Sequence, residues 1–207
     1  MVKSLLSEAD AREVEAAVAR VEAQSAAEIV VAVLPQSQEY WQPRVAASIA
    51  WALAAGFAFL HFEPWLDPAL SLAVELLVGG GTYALLGLPG LNRLLLRGDA
   101  ATRAVRARAF QLFAERGLYG TRGRTALLVF VSELEHRVVL LGDHSIHEEL
   151  GQSGWDQEVA LLVRHIRDGK LREGLVAVLD DLAPHLARVA PRAGDDMNEL
   201  PDAVIRS

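Results

Sequence analysis

Two long apolar stretches near the middle of this 207-residue chain limit what it can fold into more than any other feature. Residues 45–62, VAASIAWALAAGFAFLHF, contain no Asp, Glu, Lys or Arg. As a helix they extend about 27 Å, close to the thickness of a bilayer core. After the turn EPWLDP come residues 69–89, ALSLAVELLVGGGTYALLGLP, with one charge, Glu75, and a Gly-Gly-Gly run that packed membrane helices tolerate better than soluble ones. The alternative is a hairpin buried inside a soluble protein. Both segments are apolar around their whole helical circumference, which favours lipid. The expectation is a two-helix transmembrane hairpin.

Flanking charge sets its orientation. Arg44 precedes the first stretch, and Arg93, Arg97, Arg103, Arg106 and Arg108 follow the second, whereas the loop between them carries Glu63 and Asp67 and no basic residue. Basic flanks stay on the cytoplasmic side, so both ends of the chain are expected there. The first residues, MVKSLLSEADAREVEAAV, lack the long apolar region of a secretory signal, consistent with a cytoplasmic start. Trp41 and Trp65 suit the interfacial belts. Residues 91–97, LNRLLLR, read as an amphipathic exit segment or as a direct continuation into the next helix.

Two features inside the apolar stretches bear on packing and function. Ala46, Ala50, Ala54 and Ala58 recur every four residues, the small-residue pattern that lets helices approach closely. Glu75 lies seven residues beyond Pro68, about 10 Å along the helix, and is the candidate membrane-embedded polar residue. It is expected to face the partner helix or a neighbouring subunit, because a proton or ion pathway needs more polar partners than two spans supply.

Composition excludes several functions. There is no cysteine, which removes disulfides, thiolate metal sites and thiol catalysis. A net charge of -7 argues against nucleic acid as a partner, since phosphate neutralisation needs a basic surface. No Walker A, GxGxxG or GxSxG motif occurs.

The flanks read as one α/β domain interrupted by the hairpin. Residues 1–44 supply its first helix, starting at a capping box of Ser7 and Asp10, and a first strand, 28–34, EIVVAVL, whose unbroken apolar run fits burial on both faces. Residues 45–97 form the hairpin with its exit segment. Residues 98–207 complete the domain. A helix over 99–117, with Val105, Phe110 and Phe113 apolar among arginines and Gly117 as its C-cap, closes a β-α-β unit onto a parallel strand at 125–131. A third strand, 137–141, makes a hairpin with the second. Helices over 155–167 and 171–189 follow, and the tail around 198–205 is expected to lie extended against the domain.

The segments AAEIVVAVLP, RARAFQLFAERGLYGTRGRTALLVFVSELEHRVVLLGD, the single Trp155 and the closing NELPDAV resemble the TPM domain family, in particular its bacterial membrane branch. That family is named from thylakoid lumen, photosystem-repair and neuronal receptor-modulating proteins. The likeness covers roughly residues 5–35 and 100–205, and implies a mixed sheet sandwiched between helices. It also implies a bacterial inner-membrane location. Some members are described as acid phosphatases or calcium binders, so Ca²⁺ or Mg²⁺ is a cofactor implied by resemblance alone. Such members place an Asn-Gly-like turn before the second strand and a Gly-x-Gly-like exit after the third. Here those positions read Thr121-Arg122-Gly123-Arg124 and Leu141-Gly142-Asp143-His144. Asp143 is the acidic position that carries over, and Glu28 and Glu133 are further carboxylates near strand ends.

The densest polar run is DHSIHEE, residues 143–149. On a helix Asp143 shares a face with His147, and His144 with Glu148, so Asp143 and His147 are the candidate metal ligands. The same run is also a short helix in its own right, with Ser145 and Glu148 as a capping box and Gly151 as its end. His136, His165 and His185 are not placed by the sequence. For phosphoryl chemistry the candidates are Asp143, His144, Arg122 and Arg124, the arginines supplying charge for an anion. The expected function is a non-catalytic binding or scaffolding module at the cytoplasmic face of the membrane, its partners the lipid bilayer and a membrane protein or further copies of itself. A TPM-type acid phosphatase is the alternative.

Overall fold

A computed structural model describes residues 6–63, 65, 67, 69–88, 91, 99–121, 125–192 and 201–206. The described elements run α1 (Glu8–Glu22), β1 (Glu28–Leu34), α2 (Trp41–Phe62), α3 (Ala69–Leu85), α4 (Asp99–Glu115), β2 (Ala126–Ser132), β3 (Arg137–Gly142), α5 (His144–Arg167), α6 (Leu171–Val189) and β4 (Ile205–Arg206). They divide into two compact units, residues 38–101 and the remainder.

The larger unit is a mixed α/β fold. Its four-stranded sheet has the order β3-β2-β1-β4. β1 pairs in parallel with β2, Glu28 opposite Ala126, and with the short β4, while β2 and β3 run antiparallel. All seven residues of β1 and of β2 are buried. This follows from their central place: odd-numbered residues such as Ile29, Val31, Leu127 and Val129 pack under α1, α5 and α6, and even-numbered ones such as Val30, Ala32, Leu128 and Phe130 under α4. The extended tail is met by β4, which joins the sheet at Ala32 and Val33. Residues 198–200 of that tail lie outside the described residues.

Local chemistry explains where the helices begin and which face they bury. Ser7 Oγ accepts the Asp10 N–H at 3.1 Å and the Asp10 carboxylate accepts the Ser7 N–H at 3.1 Å, a complete capping box for α1. Its buried stripe, Ala11, Val14, Val18 and Val21, recurs every three or four residues. In α4 the buried stripe is Val105, Ala109, Leu112 and Phe113. Phe110, expected among them, is half exposed, because it stands five positions after Val105 and so off that stripe. Gly117 adopts φ 69°, the left-handed turn that ends this segment. The helix expected over 155–167 begins earlier, at His144, and passes through a kink at Gly151, φ 61°. Its N-cap is Asp143 rather than Ser145, since the chain turns helical directly where β3 ends.

The smaller unit is a helical hairpin. Among the described residues α2, 22 residues, is the one helix long and apolar enough to cross a membrane; α3, 17 residues, is apolar but shorter. The second stretch, expected to be helical to residue 89, leaves the helix at Leu85, where a turn covers Leu86 and Gly87. Arg93 and Arg97 of the expected exit segment lie outside the described residues.

The helices run antiparallel with a seam different from the expected one. Ala46, Ala50 and Ala54 are exposed and Ala58 only partly covered, whereas Ser48 and Gly56 are buried. A side chain on Gly56 would collide with the Glu75 carboxyl, and a Cβ on Gly79 would lie 3.2 Å from that of Ala52 and 3.5 Å from the Ser48 carbonyl. Ser48, Ala52 and Gly56 therefore form the stripe that receives α3. The missing side chain at Gly56 leaves room for the Glu75 carboxyl, which a methyl at that position would not. At the end of the seam Arg44 Nη2 donates to the Tyr83 carbonyl at 3.0 Å, its guanidinium 4.3 Å from the Tyr83 ring centre.

Candidate functional site

Asp143, His144 and His147, singled out by sequence, lie where β3 passes into α5. Asp143 follows β3 and donates its N–H to the Ala126 carbonyl at 3.0 Å. Since β3 is antiparallel to β2, this is the end of the sheet where Glu28 opens β1, and it is opposite to the end that carries Glu133. The three carboxylates thus do not converge. Asp143 Oδ2 is buried without a hydrogen-bond partner among the described residues, as is Thr121 Oγ1. Arg122 and Arg124, which join Thr121 to β2, lie outside the described residues.

The histidines of this run have other partners. His144 turns to solvent, 84% exposed, and its Nε2 lies 3.1 Å from Glu148 Oε1, an exposed pair of little energetic weight. His147 does not meet Asp143 through its side chain. The indole N–H of Trp155 donates to His147 Nδ1 at 3.1 Å, which makes Nδ1 an acceptor and leaves any proton on Nε2. The same indole lies against Gly142, where an added Cβ would stand 2.8 Å from the ring. Beyond the kink at Gly151, α5 is thus fastened to β3 by a tryptophan filling the space of a missing side chain. Sequence had marked Trp155 only as part of a resemblance; the pairing with a glycine thirteen residues earlier has no local signal.

The remaining histidines of the α/β unit stand apart from this run. Glu149 Oε1 accepts from Arg188 at 2.8 Å and lies 3.2 Å from His185 Nδ1, tying the start of α5 to α6. His165 Nδ1 is 3.0 Å from the Leu161 carbonyl. His136 holds a positive φ of 50° in the turn between β2 and β3. Among the described residues no three His, Asp or Glu side chains are grouped to hold a metal ion.

Two features escaped the sequence. Burial pushes the Glu22 carboxyl up to about 8, with further contributions from the neighbouring Asp202 and Glu28 carboxylates, while its bond from the Ile29 N–H opposes the rise. That bond is 2.9 Å long. The second is a groove of about 620 Å³ along the outer edge of β3, between α4 and α5, in which Arg106, Arg137 and Arg167 come together from three separate elements.

No protein-family model matches the chain, and no curated protein matches it. Among solved structures it is similar to the NMR structure of BA42 protein from the psychrophilic bacteria Bizionia argentinensis, with a TM-score of 0.62 and 16% identity over 100% of this chain and 99% of that one. At such identity the likeness shows a shared α/β fold, and function has to be argued from the site.

Proposed function

We propose that this chain is a membrane-anchored binding or scaffolding module of the TPM type, held at the cytoplasmic face of the bacterial inner membrane by the α2–α3 hairpin. The observation that carries the reading is the outer surface of that hairpin. Trp51, Leu53, Phe57, Phe62, Leu72, Leu76 and Leu77 are all exposed, Phe57 by 74% and Leu77 by 76%, while the seam inside is closed by Ser48, Ala52 and Gly56. So much contiguous apolar surface is not stable in water. At 1.5 Å per residue α2 extends about 33 Å and crosses a bilayer core; α3, about 26 Å, returns alongside it with its turn and flanking residues making up the difference. Arg44 in the first turn of α2 and Arg103, Arg106 and Arg108 in α4 put the flanks on the cytoplasmic side. Membrane fractions washed with alkaline carbonate test the anchor. The full chain stays with the pellet, and a variant lacking residues 45–88 moves to the supernatant.

A second reading, phosphate-ester hydrolysis, is favoured by one observation, the buried Asp143 oxygen without a partner. Phosphoryl transfer needs a metal or a cationic clamp together with a positioned nucleophile. Against it, His144 is turned to solvent, His147 is engaged by Trp155, and no three His, Asp or Glu side chains among the described residues are grouped to hold a metal ion beside Asp143. Detergent-purified protein is expected to release no phosphate from a generic phosphomonoester, with or without divalent cations. Cation-dependent turnover abolished by Asp143→Ala and by the double change Arg122→Ala, Arg124→Ala would establish the enzyme instead.

A further inference from the structure

β3 is an edge strand, paired with β2 on one side and with no strand on the other among the described residues. The Asp143 N–H reaches Ala126. Backbone groups alternate in direction along an antiparallel ladder, so those of Val138 and Leu140 point away from β2. An edge of this kind templates another strand unless proline, a bulge or a covering segment blunts it, and residues 137–142, RVVLLG, contain no proline.

The groove beside this edge is built for an extended chain. α4 contributes Val105 and Arg106 to one wall, and α5 contributes Trp155, Val159 and Arg167 to the other. A strand added to β3 sends alternate side chains towards the two walls. Each wall combines an apolar surface with an arginine. Arg106, Arg137 and Arg167 are exposed and make no ion pair among the described residues, and the single carboxylate on the groove is Asp156.

We propose that this groove binds an extended acidic segment of a partner protein by β-strand addition to β3, apolar residues alternating with Asp or Glu. The proposal rests on the binding-module reading and names the partner's chemistry. A second copy of the chain is the less suitable occupant, because pairing two β3 edges brings both sets of arginines together, and like charges on adjacent strands repel. Main-chain bonds to Val138 and Leu140 supply affinity, and the arginines supply selectivity for acidic side chains.

The test uses the full chain in detergent and a fluorescein-labelled octapeptide of alternating valine and glutamate, with an alternating valine and lysine octapeptide as control. Fluorescence anisotropy is expected to show saturable binding of the acidic peptide, weaker by about tenfold or more for the basic one and for protein carrying Arg106→Glu with Arg167→Glu. Amide exchange is expected to slow at Val138 and Leu140 when the acidic peptide is added. The two arginines are exposed, so their exchange does not threaten the fold; Val138→Pro removes an outward N–H as a second, backbone-directed variant. Equal binding of both peptides, binding unchanged by the arginine variants, or no protection in β3 would overturn the proposal. A homodimer that Val138→Pro converts to monomer would overturn it too, by making a second copy the occupant. Failure of the peptide to bind, with the chain still carbonate-resistant and inactive on phosphate esters, sinks the groove alone; cation-dependent turnover sinks the module reading beneath it.

Discussion

The carboxyl group of Glu75 occupies the space that a side chain at Gly56 would need. This contact makes the hairpin seam specific: the acid of α3 is matched to the one position of α2 without a Cβ.

Gly56→Leu should therefore separate the two helices, at a cost of ~1–3 kcal/mol typical of overpacking, whereas Ala50→Leu on the exposed face should be tolerated. Because the chain has no cysteine, a pair introduced as Ala52→Cys and Gly79→Cys reports the seam directly. Oxidation is expected to link them within the chain, since a Cβ at Gly79 lies 3.2 Å from that of Ala52. Gly56→Leu should abolish the link. Linking of Ala50→Cys to Gly79→Cys with equal efficiency would place the seam on the alanine stripe instead.

At the junction of β3 and α5, Gly142→Ala should destabilise the α/β unit by ~1–3 kcal/mol, because the new methyl meets the Trp155 ring. Trp155→Phe keeps most of the ring but loses the bond to His147, and should cost about 1 kcal/mol. Urea unfolding in a fixed detergent distinguishes them. Indifference to Gly142→Ala would mean that the indole does not hold α5 on the strand.

Glu22 predicts an unusual pH dependence. Its carboxyl titrates near 4.5 ordinarily and at about 8 in the fold. Between these values the folded chain holds a proton that the unfolded chain has released, so stability falls as pH rises from about 4.5 towards 8, by at most about 1.4 kcal/mol per pH unit from this group. Glu22→Gln should flatten the dependence over that window and raise stability at pH 8. An identical pH profile in the variant would show that Glu22 is solvated and ionised in the fold.

How far the structure was legible depended on whether a residue's partner lay within its own segment. β1 was readable because, after Glu28, IVVAVL is apolar at every position, which burial on both faces explains, and the long helical connection between it and β2 leaves room for a parallel pair. Ser7 and Asp10 were readable because both halves of the capping box are local. The hairpin seam was not: nearly every face of α2 is small or apolar, and only Glu75 and Gly79 on the other helix select Ser48, Ala52 and Gly56. Asp143 and His147 were joined by helical spacing, but Trp155, eight residues on, takes the imidazole. The basic groove was hidden for the same reason, its three arginines standing on α4, β3 and α5, which only the fold brings side by side.

Membrane topology tests the central claim most directly. Reporter fusions at Trp65, in the loop between α2 and α3, and after Arg206 should place the loop in the periplasm and the end of the α/β unit in the cytoplasm. The reversed pattern, or cytoplasmic signals from both fusions, would contradict an anchor of two crossings oriented by its flanking arginines.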